Sequence, residues 1–174
     1  ESEQEMELIA EIGQDLNIRP NVAVRVNPDF ELKSSGMRMG GGPQQFGVDA
    51  ERVPEMLARI GKLGLNFMGF HIFSGSQNLK HASIQETHEK TFQLGIQLAQ
   101  NAPSPVKSLN IGGGFGIPYF PGESALDIAA IGHNLKRLLP EIKKELPEAQ
   151  IVIELGSYMV AEAGVYVCRV LERN

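Results

Sequence analysis

The chain has 174 residues, 42% hydrophobic and 21% charged, which is ordinary globular composition with enough length for one cored domain. A formal net charge of −5 and no basic cluster longer than Lys143-Lys144 argue against a nucleic-acid partner. Cys168 is the single cysteine, which excludes an internal disulfide and a cysteine-based zinc site and fits a reducing, cytoplasmic setting. No run suits a membrane span, and the acidic start Glu1-Ser2-Glu3-Gln4-Glu5 is unlike a signal peptide. Because residue 1 is Glu and not Met, a natural N-terminus is expected upstream.

Residues 5–16 set Met6, Ile9, Ala10 and Leu16 at helical spacing, and Asn17 and Pro20 stop that helix. Val22-Ala23-Val24-Arg25-Val26-Asn27 reads as a buried strand. A glycine-rich loop follows through Gly40-Gly41-Gly42 to Phe46-Gly47, read as flexible and as a candidate lid. Asp49 is a candidate N-cap for a second helix with Val53, Met56, Leu57, Ile60 and Leu63 on its face, ended by Gly64. Phe67-Met68-Gly69-Phe70-His71-Ile72-Phe73 is the second strand, and Ser74-Gly75-Ser76-Gln77 its polar turn. A third helix over 83–100 turns Ile84, Thr91, Leu94 and Leu98 inward, and Pro103 and Pro105 separate it from a third strand over 106–111. A fourth helix over 128–146 carries Ile131, Leu135, Leu138 and Ile142 on one face, with Pro140 as an expected kink. Gln150-Ile151-Val152-Ile153-Glu154 is the fourth strand, Leu155-Gly156-Ser157 its turn, and 165–170 is strand-like again.

Strands near 22, 66, 106 and 150, each followed by a helix, form the pattern of parallel strands with right-handed crossovers. Such strands suit a doubly wound sheet or a (β/α)8 barrel. Arg25, His71, Gly112-Gly113-Gly114 and Glu154 fall at or beside the C-terminal ends of their strands, the ends that share one face of a barrel. Consecutive glycines carry no Cβ, so their N–H groups can converge on an anion such as phosphate; a plain tight turn is the alternative. Four strands do not close a barrel, so the expectation is an α/β chain of about four βα units within a larger barrel.

Three stretches carry a family resemblance: His71-Ile72-Phe73-Ser74-Gly75-Ser76-Gln77, Leu109-Asn110-Ile111-Gly112-Gly113-Gly114-Phe115-Gly116, and Glu154-Leu155-Gly156-Ser157 followed by Glu162-Ala163-Gly164. They resemble successive motifs of the fold-type III pyridoxal-phosphate decarboxylases, which act on diaminopimelate, ornithine or arginine and share a barrel with alanine racemase. Arg25-Val26-Asn27-Pro28, Gly36-Met37-Arg38-Met39 and Gln45-Phe46-Gly47 are most similar to the branch associated with exosortase and exopolysaccharide gene clusters.

The resemblance implies a partial (β/α)8 barrel over 1–157 and, over 158–174, a segment leading toward a β-domain beyond the chain. It implies a homodimer, an amino-acid substrate and pyridoxal 5′-phosphate as cofactor. The family's Schiff-base lysine lies upstream, so no catalytic lysine is expected in this chain and the chain alone is expected to be inactive. Glu154 matches the carboxylate that keeps the pyridine nitrogen protonated, since a nearby opposite charge favours the charged form. His71 matches the ring-stacking histidine, Ser74 a phosphate-side hydroxyl, Gly112, Gly113 and Gly114 the phosphate cup, and Arg25 an arginine beside the cofactor. Gly156 belongs to the same motif as Glu154.

That motif usually reads Glu-Pro-Gly-Arg, so Leu155 replaces the proline and Ser157 the arginine, which touches phosphate or substrate. Either a contact is lost here or Ser157 marks a different substrate group. A racemase on the same barrel, a cofactor-binding homologue without activity and a barrel for another phosphorylated ligand are the alternatives. His81, His88 and His133 are read as loop or helix-surface residues with no ligand partners at metal spacing, Lys33 and Lys80 as solvated, and Cys168 as packed in an apolar run.

Overall fold

The structure, a computed structural model, describes residues 1–31, 37–38 and 44–172. Lys33, Gly36, Met39 and the Gly40-Gly41-Gly42 run lie outside the described residues. Helix α1 (Glu3–Asp15) begins where Ser2 Oγ accepts the Glu5 N–H at 3.1 Å, and it buries Met6 and Ala10. Leu16, expected inward, is the exposed C-cap. There follow β1 (Asn21–Asn27), β2 (Met37–Arg38), β3 (Val48–Asp49), α2 (Val53–Lys62), β4 (Asn66–Ile72) and β5 (Gly75–Ser76). The chain continues with α3 (His81–Ala99), β6 (Ser108–Asn110), α4 (Ile128–Glu145), β7 (Gln150–Val152) and α5 (Ser157–Val160).

The main sheet has the order β3-β1-β4-β6-β7, all neighbours parallel, while β2 and β5 form a small antiparallel pair. From β1 through β4 and β6 to β7 the order is sequential. A doubly wound sheet reverses direction and places helices on both faces; steps that all move one way place every crossover helix on one face, as in the wall of a barrel. The architecture is therefore α/β, a partial (β/α)8 barrel, with the four expected βα units. No described helix is long and apolar enough to cross a membrane.

Alternation along the strands sorts the residues. Val24 and Val26 of β1, Phe70 and Ile72 of β4, and Leu109 of β6 are buried in one core with Leu57 and Ile60 of α2 and Phe92 of α3. An irregularity in the β1–β4 register beside Phe67 lets that side chain join the same core three residues before Phe70, and their rings meet edge to face at 5.3 Å. The alternate residues Arg25, His71, Asn110 and Val152 are register partners across four strands and form one row on the opposite face.

Several expectations need correction. Asp49 does not cap α2: a 3-10 turn (Ala50–Arg52) intervenes, and the Asp49 carboxylate accepts Asn27 Nδ2–H at 2.7 Å instead. Pro140 leaves α4 one continuous helix, since its exposed position lets solvent serve the carbonyl it deprives of a donor. His88 is not a surface residue but is buried, 1% exposed, on the inner stripe of α3. The apolar run over 165–170 forms no strand, and Val165 is 92% exposed, because a strand needs a neighbouring ladder and no described strand pairs with this run. Cys168 in that run is accordingly exposed rather than packed.

Candidate functional site

The turn after β6 is drawn tight by backbone bonds on both sides. Ile111 N–H donates to the Val152 carbonyl at 3.0 Å and Glu154 N–H to the Gly112 carbonyl at 2.8 Å, fastening the turn to the end of β7. On the other side Asn78 N–H donates to the Gly114 carbonyl at 2.8 Å and Gly116 N–H to the Asn78 carbonyl at 2.9 Å. Gly112 has φ +71°, a left-handed conformation, and a Cβ there would lie 2.9 Å from Phe73 Cδ2 and 3.0 Å from the Ile72 carbonyl oxygen. A Cβ on Gly113 would overlap the Glu154 carbonyl. Bare backbone is thus a requirement of the packing at this turn.

Beside the turn stands a polar cluster. Asn110 Nδ2–H donates to Glu154 Oε1 at 2.9 Å, and Asn110 Oδ1 accepts the Gly112 N–H at 2.9 Å. His71 Nε2 lies 3.3 Å from Glu154 Oε2, within ion-pair range but without the alignment of a hydrogen bond. His71 is half-buried and Glu154 half-exposed, so the carboxylate is fixed at its base and open at its edge.

The structure therefore brings together three of the expected features: His71, the glycine turn and Glu154. Arg25 is level with His71 in the sheet, but its guanidinium pairs with Glu1 at 2.8 Å and lies over the Phe46 ring, 4.8 Å from the centroid. Ser74 is buried behind the turn, in a cavity of about 10 Å³ lined by Gly75, Ile111, Gly113 and His88, and its Oγ has no hydrogen-bond partner. Neither ring nitrogen of His88 has one either, and burial pushes the His88 pKa down to about 4. Gly156 leads into α5, its carbonyl accepting the Met159 N–H at 3.0 Å, and Ser157 is the exposed first residue of that helix. Tyr158, given no role from sequence, packs edge to face on Phe115 with centroids 6.0 Å apart.

Asn110 is the site residue that sequence reasoning passed over. Its signal was a lone amide between Leu109 and Ile111, two residues before the Gly112 N–H that it accepts, the spacing of an Asx turn.

A family model, "Pyridoxal-dependent decarboxylase, pyridoxal binding domain", matches residues 1–161. The chain is 37% identical over its whole length to the L-glutamyl-[BtrI acyl-carrier protein] decarboxylase of Niallia circulans, covering 41% of that protein. It is 33% identical over 98% of its length to the diaminopimelate decarboxylase of Aquifex aeolicus, covering 40% of it. The crystal structure of diaminopimelate decarboxylase from Helicobacter pylori complexed with L-lysine superposes with a TM-score of 0.75 and 26% identity, over 93% of this chain and 40% of that one. The chain thus spans about two fifths of the length of these relatives.

Proposed function

The chain belongs to the pyridoxal-binding domain family of the pyridoxal-dependent decarboxylases, and we propose that it is the barrel part of an amino-acid decarboxylase acting on a diaminopimelate-, ornithine- or lysine-like substrate. The observation that carries this reading is the pairing of a glycine turn with a carboxylate, held to each other through Asn110. Pyridoxal phosphate, the cofactor of this family, supplies a sink for the electrons left behind when CO2 departs.

The residues fit such a group. Packing against Phe73, Ile72 and Glu154 keeps positions 112 and 113 bare backbone, and a turn without side chains is one whose N–H groups a phosphate can approach. Gly112 gives its N–H to Asn110 and so shapes the turn, which leaves the N–H groups of Gly113 and Gly114 as the ones that would hold the phosphate. The unpartnered hydroxyl of Ser74 supports the cup from behind. Glu154 holds a proton on the pyridine nitrogen, because its negative charge favours the protonated ring. His71 lies against the ring and steadies the carboxylate. Arg25, at the same level of the sheet but paired with Glu1, is the arginine that would lie beside the cofactor, and Gly156 lets the chain turn from Glu154 into α5. Ser157 offers a hydroxyl to the substrate.

The proposed layout has residues 1–157 as middle and later barrel and 158–174 leading toward a β-domain, in a cytoplasmic homodimer. Within the family, Arg25-Val26-Asn27-Pro28 and Gln45-Phe46-Gly47 support the exosortase- and exopolysaccharide-associated branch. A second substrate class, an aminoacyl group on a carrier protein, draws support from the 37% identity to a decarboxylase named for such a substrate. The test is CO2 release by the full-length protein with pyridoxal phosphate, offered diaminopimelate, ornithine, lysine and an aminoacyl carrier protein. Release from one of the free amino acids is the expected result. Exchange of the α-hydrogen without any CO2 would replace this reading with a racemase.

A further inference from the structure

We propose that Asn110 is a positioning residue that couples the two ends of the cofactor site; this rests on the reading above. Its side chain hydrogen-bonds to both halves. Nδ2–H donates to Glu154 Oε1 and Oδ1 accepts from Gly112 N–H, each at 2.9 Å. The ring is closed by Glu154 N–H donating to the Gly112 carbonyl at 2.8 Å. Three hydrogen bonds thus join one amide, one carboxylate and one glycine, and Gly112 uses both of its backbone polar groups within the ring.

The chemistry of the position is specific. A primary amide carries a donor and an acceptor on one planar group. Aspartate could still accept from Gly112, but it has no proton for Glu154 and would set two carboxylates side by side. Alanine offers neither bond. Glu154 lies two residues past β7 and is half-exposed, so without the amide its carboxylate keeps only the unaligned His71 contact at 3.3 Å and gains freedom to rotate away from the ring nitrogen it serves. The same amide holds the first glycine of the cup, so the phosphate end and the pyridine end are set by one side chain.

Coupling of this kind is read by a double-mutant cycle. The probe is pyridoxamine phosphate, which is fluorescent and needs no lysine for attachment, titrated into the full-length protein freed of cofactor, with inorganic phosphate titrated separately. In the wild type, Glu154→Gln should weaken pyridoxamine phosphate about tenfold. In an Asn110→Ala background the same change should cost less than about twofold, because the carboxylate is no longer positioned, and inorganic phosphate should bind about fivefold more weakly. Asn110→Asp, nearly isosteric and able to accept from Gly112, should keep phosphate affinity within about twofold while still removing the sensitivity to Glu154→Gln. A purely structural role would give the same cost for Glu154→Gln in all three backgrounds, which overturns the inference while leaving the cofactor site intact. A wild-type full-length protein that binds neither ligand would overturn the cofactor reading itself, and this inference with it.

Discussion

The two faces of the sheet are built from the same strands and obey opposite rules. Val24, Val26, Phe70, Ile72 and Leu109 are buried against helices, and what they require is volume and hydrophobicity. One residue away along each strand, Arg25, His71 and Asn110 are only half-buried and hold polar partners at set distances. The first face is tolerant of identity and severe about size; the second is the reverse. Loss on the first face should show as lost stability, and loss on the second as lost ligand affinity with the fold intact.

Phe70→Ala should break the comparison most forcefully. Its ring is fully buried against Phe67, and truncation is expected to cost about 3–5 kcal/mol in denaturant unfolding. Gly113→Ala tests the seam between the faces. A Cβ overlapping the Glu154 carbonyl forces the turn away from β7, so about 2–3 kcal/mol of stability and measurable phosphate binding should go together. Glu154→Gln should separate them: stability within about 0.5 kcal/mol of wild type, against about 1.4 kcal/mol of pyridoxamine phosphate affinity.

The smallest expected effect belongs to His88, where the first face departs from its own rule. Its folded pKa of about 4 lies below the usual 6.5, so the native ring stays neutral while the unfolded chain takes up a proton as pH falls. The stability tied to that neutral ring is complete above about pH 6.5 and is lost on acidification toward pH 4. His88→Leu should remove that part of the slope and, by replacing an unpartnered buried imidazole, add about 1 kcal/mol at pH 7. Denaturant midpoints of both proteins at pH 7.5 and 4.5 check this; an unchanged slope would mean that the ring finds a partner.

These differences also explain what could be read from the sequence. The helical stripes of α2 and α4 and the four main strands were legible because buried apolar residues recur at fixed periods. His88 falls four residues after Ile84 and three before Thr91, on the same stripe, but the polarity of an imidazole masks its place in that apolar period. β3 was missed because a two-residue strand carries no period, and the run over 165–170 was over-read because alternation alone does not supply a neighbouring strand. At the site, the residue types with distinctive chemistry stood out: the glycines, His71 and Glu154. Arg25 was legible as a strand-end cation but its partners Glu1 and Phe46, 24 and 21 positions away in sequence, were not. For Asn110 only the Asx-turn half was legible, since its bond to Glu154 crosses a strand boundary that only the β6–β7 register provides.

The most direct test of the cofactor site is a proton–nitrogen NMR titration of the chain with pyridoxal phosphate. The account predicts that the backbone amides of Gly113 and Gly114 and the side-chain amide of Asn110 shift first and furthest, with His71 ring signals moving at the same ligand concentration. Shifts confined to the helix side of the sheet, with the glycine turn unmoved, would contradict it.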